Sequence, residues 1–528
     1  MLRKCVLGIL SAGLVPCMAG CAVGPDFKPT AAPIDAGYSQ KPLPTHTNSS
    51  SAALGASQRF VTGHAVPAKW WQLFRSQNLN ALVERALEAN PNLQSQIAAL
   101  RAAQDLTRAQ QGKFFPTVQA NFNPSRTKSP DNPLLSSAPA GPDGIPINPF
   151  SVYTAQVLVS YTIDVWGQNR RAVESQAALA EAQHFQVEAA YNTLTANVVT
   201  AAVQQASLRG QIDATLKIIE AESKIVALVR QQLEAGYANR SDLAAQEAAL
   251  AQVKATLPGL RQQLAVQSDI LAALAGGFPN QLREAFKLSA FHLPTDLPLS
   301  LPSALIEQRP DVRAAEEQLH SATAQVGVAV ANLLPNFTIN GARGYSSLEL
   351  ASLISPPNIF WTIAGNATQT IFDGFMLINQ ARAAEGSMQQ AAWAYRTTVI
   401  AAVQNVADAL HALHNDADSL KAARDFERAA KISLDLATQQ MEHGNANVLL
   451  LLTAQQSYLQ AVIQVTQVEA NRLADTAALY AALGGGWWNP GRPTVPIQTF
   501  DTAAGVAEPL TETQVNWFPW FKPLGSTN

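Results

Sequence analysis

Hydrophobic positions recur at helical spacing along most of this chain and switch to strict alternation in four short places. Leu79, Leu82, Val83, Ala86 and Leu87 predict a helix over 79–111 that Pro91 interrupts, because proline has no backbone N–H to donate. After Pro116 the period becomes two: Val118, Ala120 and Phe122 share one face, Thr117, Gln119 and Asn121 the other. Over 152–164, Tyr153, Ala155, Val157, Val159, Tyr161 and Ile163 oppose Thr154, Gln156, Leu158, Ser160 and Thr162. After Pro335, Phe337 and Ile339 oppose Asn336, Thr338 and Asn340. Trp361, Ile363, Ala367 and Ile371 then oppose Thr362, Asn366, Thr368 and Thr370. Beyond Asp164 and Asp373 the helical period returns and runs to turns at Gly236 and Gly444. Its first run carries a stripe of Ile212, Leu216, Ile219, Val226, Val229 and Leu233. A helix of about 65 residues reaches about 100 Å, more than one globular core needs.

The pattern is written twice. QQLEAGYAN opens at Gln231 and QQMEHGNAN at Gln439, 208 positions later, while LAALAGGF and YAALGGGW match at an offset of 209. The spacing predicts one inserted residue between Asn239 and Ala454. Pro91 and Pro310, and likewise Pro116 and Pro335, stand 219 apart. Such self-similarity predicts an internal duplication: helix, two strands and a long helical hairpin in 69–300, and the same order in 301–488. The first pair of strands is joined by a longer Pro/Gly/Ser-rich loop over 127–149.

Strands that are apolar on one side and small-polar on the other suit a membrane barrel with a wet lumen. A soluble antiparallel sheet with one solvated face has the same alternation. The N-terminus separates the two. Arg3 and Lys4 precede an apolar run, and Met18-Ala19-Gly20 lead directly to Cys21. This resembles a bacterial lipobox, with residues 1–20 as signal peptide and Cys21 as the acylated first residue of the mature chain. Ala22 after the cysteine resembles lipoproteins delivered to the outer membrane. Four strands cannot close a barrel, and open edges in lipid leave backbone groups without partners. Two copies would give eight strands and three would give twelve; the strand pattern does not choose.

Composition narrows the remaining classes. The chain has 528 residues, a formal net charge of −3 and 47% hydrophobic residues. No basic field points to nucleic acid. Cys5 and Cys17 fall in the leader, so Cys21 has no disulfide partner. The histidines show no His-Glu-Xaa-Xaa-His spacing, no Gly-rich phosphate loop follows a strand, and His411 with His414 lack a companion carboxylate set. The expectation is a non-enzymatic protein with no cofactor beyond the lipid on Cys21. Residues 21–68 are rich in Pro, Ser and Thr and predict a tether with little structure, and 489–528 form a Pro- and Trp-containing tail.

Several short segments carry a family resemblance. They are Cys21-Ala-Val-Gly-Pro-Asp-Phe, Trp70-Trp71, Ala86-Leu-Glu-Ala-Asn-Pro-Asn-Leu93 and Tyr161-Thr-Ile-Asp-Val-Trp-Gly167. Others are Arg309-Pro-Asp-Val-Arg313-Ala-Ala-Glu316, Phe372-Asp-Gly374 and Leu479-Tyr-Ala-Ala-Leu-Gly-Gly-Gly-Trp487. In this order they resemble the outer-membrane efflux factor (TolC-like) family, in its NodT-type lipoprotein branch. The resemblance implies an α+β membrane protein: a trimer whose four strands per chain form a twelve-stranded β-barrel, continued by a long periplasmic α-helical barrel. It implies a passive exit duct for small molecules, docked on a periplasmic adaptor and an inner-membrane transporter. Alternatives are an exit duct for secreted polypeptide and a lipid-anchored coiled-coil spacer that transports nothing.

By the same resemblance the two hairpin turns form the periplasmic tip. Gly236, Ser241, Asp242 and Gly444 are then adaptor-docking candidates, although Ser241 or Asp242 could simply cap the returning helix. The second tip has Leu451-Leu452-Thr453-Ala454-Gln455-Gln456 where the branch typically carries Asp and Arg. Thr453 and Gln456 replace that pair. The expectation is an aperture closed by Leu449, Leu450, Leu451 and Leu452 rather than by salt bridges.

Overall fold

A computed structural model describes residues 22–29, 37–39, 44–130, 137–141, 143, 145–442 and 448–489. Cys21, Gly444 and the tail 490–528 lie outside the described residues.

In chain order the elements are β1 (Arg59–Thr62), α1 (Gln77–Ala89), α2 (Pro91–Gln111), β2 (Thr117–Thr127), β3 (Phe150–Ile163), α3 (Gln168–Glu234) and α4 (Arg240–Leu274). They continue as β4 (Asp296–Leu299), α5 (Pro302–Gln308), α6 (Pro310–Ala331), β5 (Asn336–Ser347), β6 (Ile359–Thr368), α7 (Met376–Glu442) and α8 (Val448–Ala482). The duplication is plain in the lengths: α3 and α7 have 67 residues each, α4 and α8 have 35 each. At 1.5 Å per residue these are about 100 Å and about 50 Å long.

The bounds of all four helices repeat at an offset of 208, which removes the inserted residue expected from the sequence. The apparent offset of 209 arises from an extra glycine. Gly277 N–H bonds Ala272 O at 2.9 Å and Gly485 N–H bonds Tyr480 O at 3.0 Å, so the two helix ends align at 208. Gly486 lies beyond that cap.

Local chemistry sets the breaks. Pro91 and Pro310 occupy the first turns of α2 and α6, where a missing N–H costs nothing. Asn90 Oδ1 accepts from Asn92 and Leu93 N–H at 3.0 and 3.2 Å, capping α2. Each change from strand to long helix uses one aspartate. Asp164 accepts from Asn169 and Arg170 N–H, and Asp373 from Met376 and Leu377 N–H, all at 2.9 to 3.0 Å.

The four main strands form one antiparallel sheet in the order β2-β3-β5-β6. Its register brings Val118 opposite Val159, Tyr161 opposite Ile339 and Phe337 opposite Ala367 on one face. Thr117, Ser160 and Asn340 line up on the other, where Ser160 Oγ donates to Asn340 Oδ1 at 2.7 Å. The alternation expected from sequence therefore survives pairing without a bulge. β6 ends earlier than expected, at Thr368, so Thr370 and Ile371 fall in the turn to α7. Within the chain β2 and β6 are edge strands, each paired on one side only.

The main core sits where the short helices meet the long ones. Trp70, Phe74, Leu79, Leu82, Leu271, Leu297, Leu305 and Tyr480 are almost fully buried there, and Trp70 stacks on Tyr480 at 5.5 Å. Two expectations change at this level. The segment 44–62 is not a bare tether: β1 pairs in parallel with β4, and Gln58 and Thr47 are buried. Its order comes from hydrogen bonds to a distant arginine, Arg472, which leave no apolar period to read. On α3 the buried seam is Gln211, Ile212, Thr215, Ile218, Glu222, Val226 and Val229, so Ile212, Val226 and Val229 of the expected stripe are in it. Leu216 is 41% exposed, because Gln211 and Thr215, hydrogen-bonded along the helix, take seam positions beside the remaining stripe residues.

Candidate functional site at the hairpin tip

The far end of the helical domain is built by two turns. In the first, Gly236 adopts φ +79, with open space around it, and Tyr237 beside it is 87% exposed. Asn239 caps α4 through a capping box in which Asp242 Oδ2 accepts from Asn239 N–H at 3.1 Å. Asp242 is thus a capping residue, and Ser241 is exposed beside it, 3.4 Å from Asn239 Oδ1.

The second hairpin divides the expected aperture residues. Leu449 is 67% and Leu450 49% exposed, while Leu451 is fully buried with Val229, Ala437, Met441 and Ala454. Leu452 is half-buried against that same cluster. Thr453 and Gln456 are exposed on the turn-by-turn row that begins at Leu449, and Thr453 Oγ1 donates back to Leu449 O at 2.9 Å. Of the four leucines, Leu449 and Leu450 are therefore the exposed ones. At the offset of 208, Leu449 and Leu450 occupy the places of Ser241 and Asp242 in the first hairpin. One turn presents a hydroxyl and a carboxylate where its counterpart presents two leucines.

What joins the hairpins leaves no periodic signal in the sequence. Gln246 Nε2 donates to Gln455 Oε1 at 3.0 Å, with both side chains buried between α4 and α8. Arg230 and Glu247 bridge α3 to α4 at 2.6 Å, but both are about half exposed and such pairs stabilise little. Replacing Gln246 alone by leucine leaves the Gln455 amide without its partner, at a cost of about 1–3 kcal/mol. Leucine at both positions should recover most of that loss. A double-mutant cycle read by thermal unfolding checks it; additive losses would show that the pair is not coupled.

At the opposite end the N-terminal segment is fastened to the boundary between sheet and helices. Val23 N–H bonds Trp166 O at 3.0 Å, Arg171 pairs with Asp26, and Phe27 stacks on His320 at 4.4 Å. Gly24, at φ +94, crosses α6 so closely that a Cβ would lie 2.4 Å from Gly327 Cα. Ala22 thus packs against Gly167, at the foot of the sheet.

Two titrating clusters lie between these ends. His320 is held between Glu174 and Glu317, each at 3.1 Å, and these hydrogen bonds raise it to about 9. Burial and a shared hydrogen bond with Asp475 raise Asp416 to about 7. The histidine contributes stability that is complete below its ordinary pKa and lost as pH rises through about 9. The raised aspartate binds its proton more tightly when folded, so its contribution falls as pH rises from about 4 to about 7. Between about pH 5 and about pH 9, where the lowered carboxylates such as Glu174 are already ionised, thermal unfolding should show these two groups reducing stability as pH rises. His320→Gln should flatten the upper limb and Asp416→Asn the lower. His414, half-buried, stacks on Phe60 and contacts Pro44 O at 3.0 Å, and no group of three metal-ligating side chains exists among the described residues.

An open sheet with one apolar face, carried on paired helices of about 100 Å, defines the protomer of an outer-membrane channel. The chain matches the family described as outer membrane efflux protein over residues 82–277 and 301–485, and it belongs to that family. The pyoverdine export outer membrane protein OpmQ of Pseudomonas putida is 28% identical over 79% of this chain and 88% of its own length. The toluene efflux pump outer membrane protein TtgF of the same species is 27% identical, covering 91% and 97%. Nodulation protein T of Rhizobium leguminosarum is 25% identical, covering 91% and 94%. Among solved structures, the outer-membrane channel OprN superposes with a TM-score of 0.78 at 26% identity, over 89% of this chain and all of that one. VceC of Vibrio cholerae has the same fold, with a TM-score of 0.72 at 24% identity over 80% of this chain and 99% of its own.

Proposed function

We propose that three copies of this chain close into a passive exit duct for small molecules across the outer membrane. The observation that carries it is the four-stranded sheet, apolar on one face and unpaired at both edges. In hydrocarbon such edges must find partners, and three sheets of four strands make a closed barrel of twelve. A second feature supports closure by copies of the chain. Trp393, Ile400, Ile432 and Leu436 on α7 are more than half exposed, a row of apolar side chains that a neighbouring copy would cover.

Residues 1–20 then act as the signal peptide and Cys21 as the lipid-bearing residue, inserted in the inner leaflet next to the foot of the sheet. Intact-mass analysis of the mature chain tests that assignment. Residues 69–300 and 301–488 act as the two repeats, 21–68 as the lipidated lead segment and 489–528 as an appended tail. Gly236, Ser241, Asp242 and Gly444 meet a periplasmic adaptor, which couples the duct to an inner-membrane transporter. Leu449, Leu450, Leu452, Thr453 and Gln456 surround the aperture, with Leu449 and Leu450 making the closing contact. Pyoverdine and toluene, named for the relatives, set the class expected here: small organic molecules. Deleting the gene in its own host should raise accumulation of fluorescent dyes and of small aromatic compounds. Unchanged accumulation across a diverse panel, together with a lost secreted protein, would favour polypeptide export instead.

A further inference from the structure

The four main strands hold two charged residues, Arg126 and Arg343, and no acidic one. Register puts both on the apolar face. Arg343 stands in the row Ala120–Val157–Arg343–Trp361, and Arg126, opposite Ser151, is at the far end of β2. The next row outward is Phe122–Ala155–Tyr345–Ile359, so Arg343 is flanked by two aromatic side chains.

Arg343 is exposed, and β5 pairs on both sides within its own chain, so a second copy does not reach the strand. On a lipid-facing surface an unpaired guanidinium is costly near the midplane and tolerated towards the headgroups. Arg343 lies on the half of β5 remote from the long helices, four residues from the end of the strand at Ser347. From there a long side chain reaches the headgroup level by extending past Tyr345. A planar fork of donors beside Trp361, with no carboxylate on the whole face, suits a phosphate oxygen.

We propose that Arg343 binds the phosphate of an outer-leaflet lipid, with Trp361 and Tyr345 forming the walls that hold the lipid's upper chain and sugar. The inference rests on the closed barrel proposed above. Its occupant is a phosphate-bearing membrane glycolipid, and a closed trimer would carry three such sites around its rim.

Native mass spectrometry of detergent-purified, full-length protein tests this with bis-phosphorylated lipid A and the same lipid with its phosphates removed. The wild-type trimer should retain the phosphorylated lipid and lose the phosphate-free form. Arg343→Gln should lower retention of the phosphorylated lipid about tenfold, and Arg343→Lys should lose less, keeping the charge without the fork. The Gln variant removes a charge from an apolar face and should fold at least as well, which conductance in a planar bilayer verifies. Equal retention by wild type and Arg343→Gln, or no preference for the phosphorylated lipid, would overturn the proposal while leaving the duct in place. A chain that forms neither trimer nor conducting pore would overturn the barrel, and this inference with it.

Discussion

Replacing Arg472 by methionine is expected to release the segment 44–62 and to lower stability by about 3–5 kcal/mol. Arg472 is completely buried on α8, and its guanidinium donates to Leu54 O, Ala56 O, Thr47 Oγ1 and Gln58 Oε1 at 2.7 to 3.4 Å. These acceptors are neutral oxygens of one segment. Methionine fills much of the volume but leaves the Leu54 and Ala56 carbonyls and Gln58 Oε1 without their donor, while Thr47 Oγ1 keeps only the Gln58 N–H at 2.9 Å. Gln58 is itself buried and ties the segment onward to Pro294 O and Thr476 Oγ1. Limited proteolysis should therefore cut first within 44–62 in the variant and not in the parent. The substitution also removes the positive charge that opposes protonation of Asp416, so that group should titrate higher still. A variant with parental stability and an uncut segment would show that β1 and Gln58 hold it without the arginine.

Gly485→Val should be strongly damaging at the end of α8, costing roughly 3 kcal/mol or more. Gly485 has φ +71, and a Cβ there would lie 2.2 Å from Asn192 Oδ1. Asn192 Nδ2 donates to Ala481 O at 2.8 Å, so displacing Asn192 also uncaps the helix end. Valine adds a β-branched side chain to a left-handed backbone on top of that clash. Gly236→Ala provides the contrast. It has φ +79 but nothing within 4 Å, so it should lose only the conformational cost of about 1 kcal/mol. Urea unfolding of both variants separates collision from backbone strain. Similar losses at the two sites would show that the contact with Asn192 relaxes freely.

Much of this architecture is legible in the sequence because the chain repeats its punctuation. Pro91 and Pro310, Asp164 and Asp373, and the glycine-ended helices all mark breaks that backbone chemistry enforces. Strand faces are legible for the same reason: side chains alternate, and the register brings Val118 opposite Val159 and Tyr161 opposite Ile339. What was not legible depends on polar contacts between distant segments. Nothing around Thr47 or Gln58 has apolar period, since Arg472 holds them from more than 400 positions away. The α3 seam keeps Ile212, Val226 and Val229 but loses Leu216 for a related reason, as Thr215 and Gln211 bond along the helix and are buried where Leu216 is not. At the tip, a leucine run on a helix points in several directions, so Leu451 goes into the cluster with Val229 while Leu449 and Leu450 face out. The Gln246–Gln455 pair had no local signal at all.

Single-channel conductance measured alongside native mass tests most directly whether the protein is a trimeric duct whose tip is held shut. The full-length, detergent-extracted protein should have the mass of three chains and give small or flickering currents in a planar bilayer. Leu449→Ser together with Leu450→Ser should raise the conductance severalfold without changing the mass, because the closing contact rests on those two exposed side chains. A monomeric mass, silent bilayers under every condition, or wide-open currents that the two serines leave unchanged would contradict the account.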